Sequence, residues 1–92
     1  GLPVSLPSSK SSTIVIQKVS VTITKDLRYF VNDKEVNISD IEIHLRNEIG
    51  DKESLVVLHC DKSVPVEHLV NVASIATSLE AKVTIATQPS KK

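Results

Sequence analysis

Glycine is nearly absent from this 92-residue chain, which has only Gly1 and Gly50. Loops that wrap phosphate in backbone N–H groups need several glycines, so GxxxxGK[ST] and GxGxxG nucleotide sites are excluded; GxSxG is missing too. Cys60 stands alone, so no internal disulfide can form and no CxxC motif exists. Methionine and tryptophan are missing, and Tyr29 and Phe30 are the only aromatics. Two adjacent aromatics make no base-stacking platform, and eleven basic against eleven acidic side chains leave no net positive field. Nucleic acid is therefore not expected as a partner. The longest run of Val, Leu and Ile is Leu55-Val56-Val57-Leu58, too short to span a bilayer, and no secretory signal pattern opens the chain. The missing initiator Met suggests a processed or excised chain.

What is present is a core for one domain. Hydrophobic residues make up 40% of the chain, mostly Val, Ile and Leu, and their β-branching biases the fold toward strands. Charge is unevenly spread. Residues 1–34 carry five basic and two acidic groups, residues 35–67 three and eight, and residues 68–92 three and one. The middle third is thus an acidic patch suited to a basic partner segment, or simply a set of solvated faces.

Residues 1–13, with Pro3, Pro7 and a Ser/Lys cluster, read as a flexible leader, and residues 89–92 as a tail. The folded domain spans 14–88. Ile14 and Ile16 alternate with polar residues, as do Val19, Val21 and Ile23, but the parity shifts at Gln17-Lys18. The pattern requires either a bulge there or two separate strands. A turn at 25–28 precedes a short strand at 29–31, and Asn32-Asp33 suit a two-residue hairpin loop into 34–36. Ser39 with Glu42 forms a capping box, with Ile38 stapled onto Ile43. The helix that follows buries Ile41, Leu45 and Ile49 and stops at Gly50.

The apolar run 55–60 reads as a buried strand. Pro65 opens a second helix, whose apolar half-circle holds Val66, Leu69, Val70, Val72, Ala73, Ala76 and Leu79. Residues 83–87 form the last strand, parallel to 55–60 through a helical crossover. The expected fold is α+β, a single mixed β-sheet with two helices packed on one face, in the order β-hairpin–α–β–α–β. The other face is left to solvent or to a partner.

Residues able to carry chemistry are few. His59-Cys60-Asp61 lies on a strand, where alternation turns Cys60 away from both neighbours, so the thiol reads as inert core. His44 and His68 lack the i, i+4 partner of a zinc motif. The pairs Asp40/Glu42 and Glu48/Asp51 lie on or beside the first helix, without the deep cleft that carboxylate catalysis requires. No catalytic, cofactor or metal site is expected, and the chain reads as a docking module rather than an enzyme.

Three stretches in order carry a resemblance. Val4-Ser5-Leu6-Pro7-Ser8-Ser9 is similar to the V-x-L-P-x-[AS] segment that follows the transmembrane helix in the ExbD/TolR family. Arg28-Tyr29-Phe30-Val31-Asn32-Asp33-Lys34-Glu35-Val36 is similar to its R-Y-x-V-N-G-K-x-V hairpin. Asp61-Lys62-Ser63-Val64-Pro65-Val66, then Leu69-Val70-x-Val72 and Val83-x-Ile85-Ala86-Thr87-Gln88-Pro89, resemble D-K-x-V-P-Y…V-V-x-V-M…V-x-[LI]-A-T-x-P. The chain departs from the pattern at Leu27, where glycine is common, at Val66 in place of an aromatic, and in having no glycine before the last strand.

The resemblance implies the periplasmic domain of a single-pass inner-membrane protein, its leader following a transmembrane helix that pairs with an ExbB-like channel subunit. It also implies a homodimer and no cofactor. In the ExbD branch the domain transmits the energy of an ion gradient to a TonB-like protein for outer-membrane transport. In the TolR branch it binds peptidoglycan in the Tol–Pal system. The partner contact is expected at Asp61, Lys62, Val64, Pro65 and Val66 and at Val83, Ile85 and Thr87, where an extended segment adds a strand to the sheet.

Overall fold

A computed structural model of the protein describes residues 15–88. The leader expected over 1–13, the tail over 89–92 and Ile14 lie outside the described residues. The elements are β1 (Gln17–Ile23), β2 (Tyr29–Val31), β3 (Lys34–Val36), a 3-10 turn (Ile38–Asp40), α1 (Ile41–Ile49), β4 (Ser54–Asp61), α2 (Val66–Ser78) and β5 (Lys82–Gln88). They form one mixed sheet in the order β3-β2-β1-β4-β5 with two helices, the expected α+β class. β1–β2 and β2–β3 are antiparallel; β1 and β5 both run parallel to β4.

Register puts the buried side chains side by side. Val21 stands next to Leu58 on one side and Val31 on the other, and Ile23 next to Cys60 and Tyr29. Ile41, Leu45 and Ile49 of α1 and Val72 and Ala76 of α2 complete the same buried cluster, so both helices cover one face. The opposite face presents Lys18, Ser20, Thr22, Leu55, Val57, His59 and Thr84, none fully buried. β4 therefore alternates strictly between buried and half-buried positions. It is one-sided, not buried on both faces as its apolar run led us to expect.

Three other expectations change. β1 begins at the parity shift itself, with the Gln17 amide donating to the Glu53 carbonyl at 2.9 Å, and Val15 and Ile16 precede it as exposed, irregular chain. The capping box does not form. The 3-10 turn satisfies the first helical N–H groups through its own backbone, Asp40 to Asn37 and Ile41 to Ile38, and no cap side chain bonds. Ile38 and Ile43 are 47% and 51% exposed, and neither joins the buried cluster. Finally, α2 buries fully only Val72 and Ala76, with Leu69, Ile75 and Leu79 packed partly against the core, while Val66 and Val70 stay exposed. Among the described residues β5 is an edge strand of the sheet.

The turns explain the missing glycines. Leu27 (φ 65°) and Glu80 (φ 67°) both adopt the left-handed conformation. Glu80 ends α2 in a Schellman motif, its N–H on the Thr77 carbonyl (2.9 Å) and that of Ala81 on the Ala76 carbonyl (3.1 Å). Asn32 (φ 54°) pins the hairpin tip: its Oδ1 accepts from the Ser20 amide and its Nδ2 donates to Glu48 Oε1, both at 3.1 Å.

Two stability predictions follow from this packing. Leu45 is 0% exposed, so Leu45→Ala costs roughly 2–5 kcal/mol; Leu69→Ala, at a partly buried site, costs less, and Ser39→Ala stays within about 0.5 kcal/mol. A denaturant series with Ser39→Ala as the most damaging contradicts the helix assignments. Glycine at Leu27 or Glu80 removes left-handed strain of about 1–2 kcal/mol and returns about 0.5–1 kcal/mol of backbone entropy, so each change is neutral to stabilising. A fall in melting temperature for both variants rules this out.

Candidate partner-binding site

The residues expected to meet a partner divide in the structure. The loop after β4 is self-supporting: the Ser63 amide donates to Asp61 Oδ2 at 2.9 Å and the Val64 amide to the Asp61 carbonyl at 3.0 Å. Val64 is buried, so it belongs to the core and not to a contact surface. Pro65 caps α2 in an extended conformation (φ −61°, ψ 145°), its carbonyl accepting from the His68 amide at 3.1 Å. Lys62 and Val66 are exposed beside this loop. On β5, Val83 packs partly on the core, whereas Ile85 and Thr87 are exposed. Of the residues expected at the contact, Lys62, Pro65, Val66, Ile85 and Thr87 are thus exposed, Asp61 and Val83 half-buried and Val64 buried. Periodicity assigns Val70 to the buried arc of α2, but it is 55% exposed.

The two sheet edges differ sharply. β3 is three residues long, and Arg28 guards it with Nε and a terminal nitrogen donating to the two Glu35 carboxylate oxygens at 3.0 and 2.8 Å. The Arg28 guanidinium also lies 5.9 Å from the centre of the Phe30 ring. Its hydrogen bonds hold the Glu35 carboxyl below the usual carboxylate range and raise the guanidinium in turn. β5 is seven residues long, with Lys82 as its only charged residue. A long edge with a single charge leaves backbone donors and acceptors ready for another strand, whereas charge on a short edge discourages pairing.

The acidic middle third lies elsewhere. Asp40, Glu42 and Glu48 sit on the 3-10 turn and α1, which packs over β1 and β2 on the far side of β4 from β5. Asp51, Glu53 and Asp61 flank or end β4 and Glu67 begins α2, so the acidic groups of this third are spread across the sheet rather than gathered at β5. Next to α1, Asn32, Asp33, Lys34, His44, Asn47 and Glu48 line an open polar hollow of about 640 Å³.

The side chains with chemical potential serve structure. The Tyr29 hydroxyl and His68 Nδ1 lie 3.2 Å apart, joining β2 to α2, and burial pushes the Tyr29 phenol up. His59 and Asp61 lie on the open face and Cys60 on the buried one. Burial, and then the neighbouring Asp61 carboxylate, push the Cys60 thiol up, away from the reactive thiolate. Among the described residues no group of three or more His, Cys, Asp or Glu could hold a metal ion, and no helix is long and apolar enough to cross a membrane.

Comparison with known proteins agrees with the order of motifs. A family model described as "Biopolymer transport protein ExbD/TolR" matches residues 1–90. A search of curated proteins found no match.

Cys60 is 3% exposed. A thiol reagent at neutral pH therefore labels it only as fast as the domain unfolds, and rapid labelling of the native protein is inconsistent with this burial.

Proposed function

This chain belongs to the ExbD/TolR family over nearly its whole length, a membership that carries an accessory role in biopolymer transport, and from that premise we propose that it is the periplasmic output domain of an ExbD-like motor subunit. In this reading it has no catalytic activity of its own. It engages an extended segment of a TonB-like protein, which adds a strand alongside β5. The observation that carries the reading is the contrast between the edges: β5 offers seven residues with one charge, while an Arg28–Glu35 pair guards β3. Main-chain hydrogen bonds supply affinity in such a complex, and flanking side chains supply specificity.

A second reading, a TolR-like domain that binds peptidoglycan, draws on the polar hollow between the hairpin and α1. Its carboxamides, carboxylates, Lys34 and His44 suit a ligand rich in hydroxyl, amide and charged groups. The two readings place the ligand on opposite sides of the molecule.

Chemical-shift mapping separates them. Titration with the periplasmic segment of a TonB-like protein is expected to move amides of β5 and the start of α2 and to leave Asn32, His44 and Asn47 unchanged. Shifts at those three residues with muropeptide, and none at β5 with the protein segment, transfer the assignment to the second reading.

A further inference from the structure

The chain between β3 and α1 carries a pattern that the strand-addition reading does not use. In Glu35-Val36-Asn37-Ile38-Ser39, Asn37 is followed two positions later by Ser39, with no proline between them. N-x-[ST] with no proline at x is the acceptor pattern for N-linked glycosylation. The bacterial form of the pattern adds an acidic residue two positions before the asparagine, and Glu35 stands there. Of the four asparagines in the chain, Asn32, Asn37, Asn47 and Asn71, Asn37 alone has a hydroxyl residue two positions on.

The fold leaves the motif on the surface. Asn37, Ile38 and Ser39 are all exposed. Asn37 is extended (φ −76°, ψ 149°) and its carboxamide makes no capping bond, while its backbone carbonyl accepts from the Asp40 amide at 2.9 Å. Ser39, spaced from Glu42 as in a capping box, makes no capping bond either. Glu35 is exposed as well, and its pair with Arg28 is of the surface kind that another cation readily replaces. The one buried member is Val36, the last residue of a three-residue edge strand, paired with Tyr29. An enzyme reaches the motif by fraying that strand end or before the domain folds.

We propose that Asn37 is a site of N-linked glycosylation and that its co-substrate is an oligosaccharide carried on a lipid pyrophosphate. The proposal rests on the periplasmic placement in the reading above, because the transferring enzyme works outside the cytoplasm. In the transfer, Asn37 Nδ2 bonds to the anomeric carbon of the first sugar and gives up one proton to a base of the enzyme. The bond from that carbon to the pyrophosphate oxygen breaks, and the lipid pyrophosphate leaves with the electron pair. An amide nitrogen is a poor nucleophile, so the reaction needs the enzyme, and Glu35 and Ser39 are the groups by which the enzyme selects the site. The glycan follows β3 directly, at the opposite edge of the sheet from β5. It adds bulk and hydration to the edge that the Arg28–Glu35 pair already guards and leaves β5 free for strand addition.

Intact-mass and peptide-mass analysis of the protein isolated from the envelope of cells that make it tests the proposal. The expected result is a mass increase of one oligosaccharide, mapped to Asn37, absent from Asn37→Gln and Ser39→Ala and lost or reduced in Glu35→Gln. Unglycosylated Ser39→Ala is expected to melt with the unglycosylated wild type, so that loss of the glycan is not loss of the fold. An unmodified wild type overturns the proposal, as does a glycan retained at Asn37 in Ser39→Ala. Protease added to the outer side of the inner membrane judges the placement separately. An unmodified domain that is digested sinks the glycan site alone, and one that is protected removes the periplasmic reading as well.

Discussion

β4 is held between two parallel neighbours, and the rest of the domain follows from that arrangement. A parallel pair cannot be closed by a hairpin, so the chain must leave the sheet and return through a crossover. It does so once through the hairpin and α1, between β1 and β4, and once through α2, between β4 and β5. Both helices settle on one face and share one buried cluster. α1 covers β1 and β2, while α2 covers β4 and the inner part of β5. Among the described residues the last strand is an edge of the sheet, and Val66 and Val70 of α2 are exposed.

The proposed strand addition uses that edge. The polar and nucleophilic side chains that first draw attention have structural partners: Asp61 folds its own loop, His68 meets Tyr29, and Cys60 is buried with its thiol pushed up. What remains is backbone and aliphatic surface, which suits recognition of an extended chain. The other edge is short and charged, a common defence against unwanted pairing. One molecule thus keeps one edge closed and one open.

Much of this was legible in the sequence where local chemistry decides it. Ile41, Leu45 and Ile49 with Gly50 marked α1, and Asn32-Asp33 marked the hairpin tip. The family resemblance, through glycines expected near Leu27 and before the last strand, marked two turns, and both carry positive φ, at Leu27 and Glu80. Non-local choices were not legible. The Ser39–Glu42 spacing fits a capping box, yet the preceding 3-10 turn satisfies the same amides. Periodicity placed Val66 and Val70 with the core because it records an apolar arc, not whether a neighbouring strand exists to cover it. The acidic middle third was visible as composition, but the topology spreads it across the sheet rather than gathering it at β5.

Amide hydrogen exchange along β5, with and without the partner's extended segment, tests the central claim most directly. In a parallel pair alternate residues of β5 direct their N–H groups to β4 and the others outward. The account predicts that one alternating set is slow and the other fast in the free domain, and that the segment slows the fast set without disturbing the slow one. A β5 that is uniformly protected in the free, monomeric domain, or a fast set that a bound segment leaves unchanged, contradicts it.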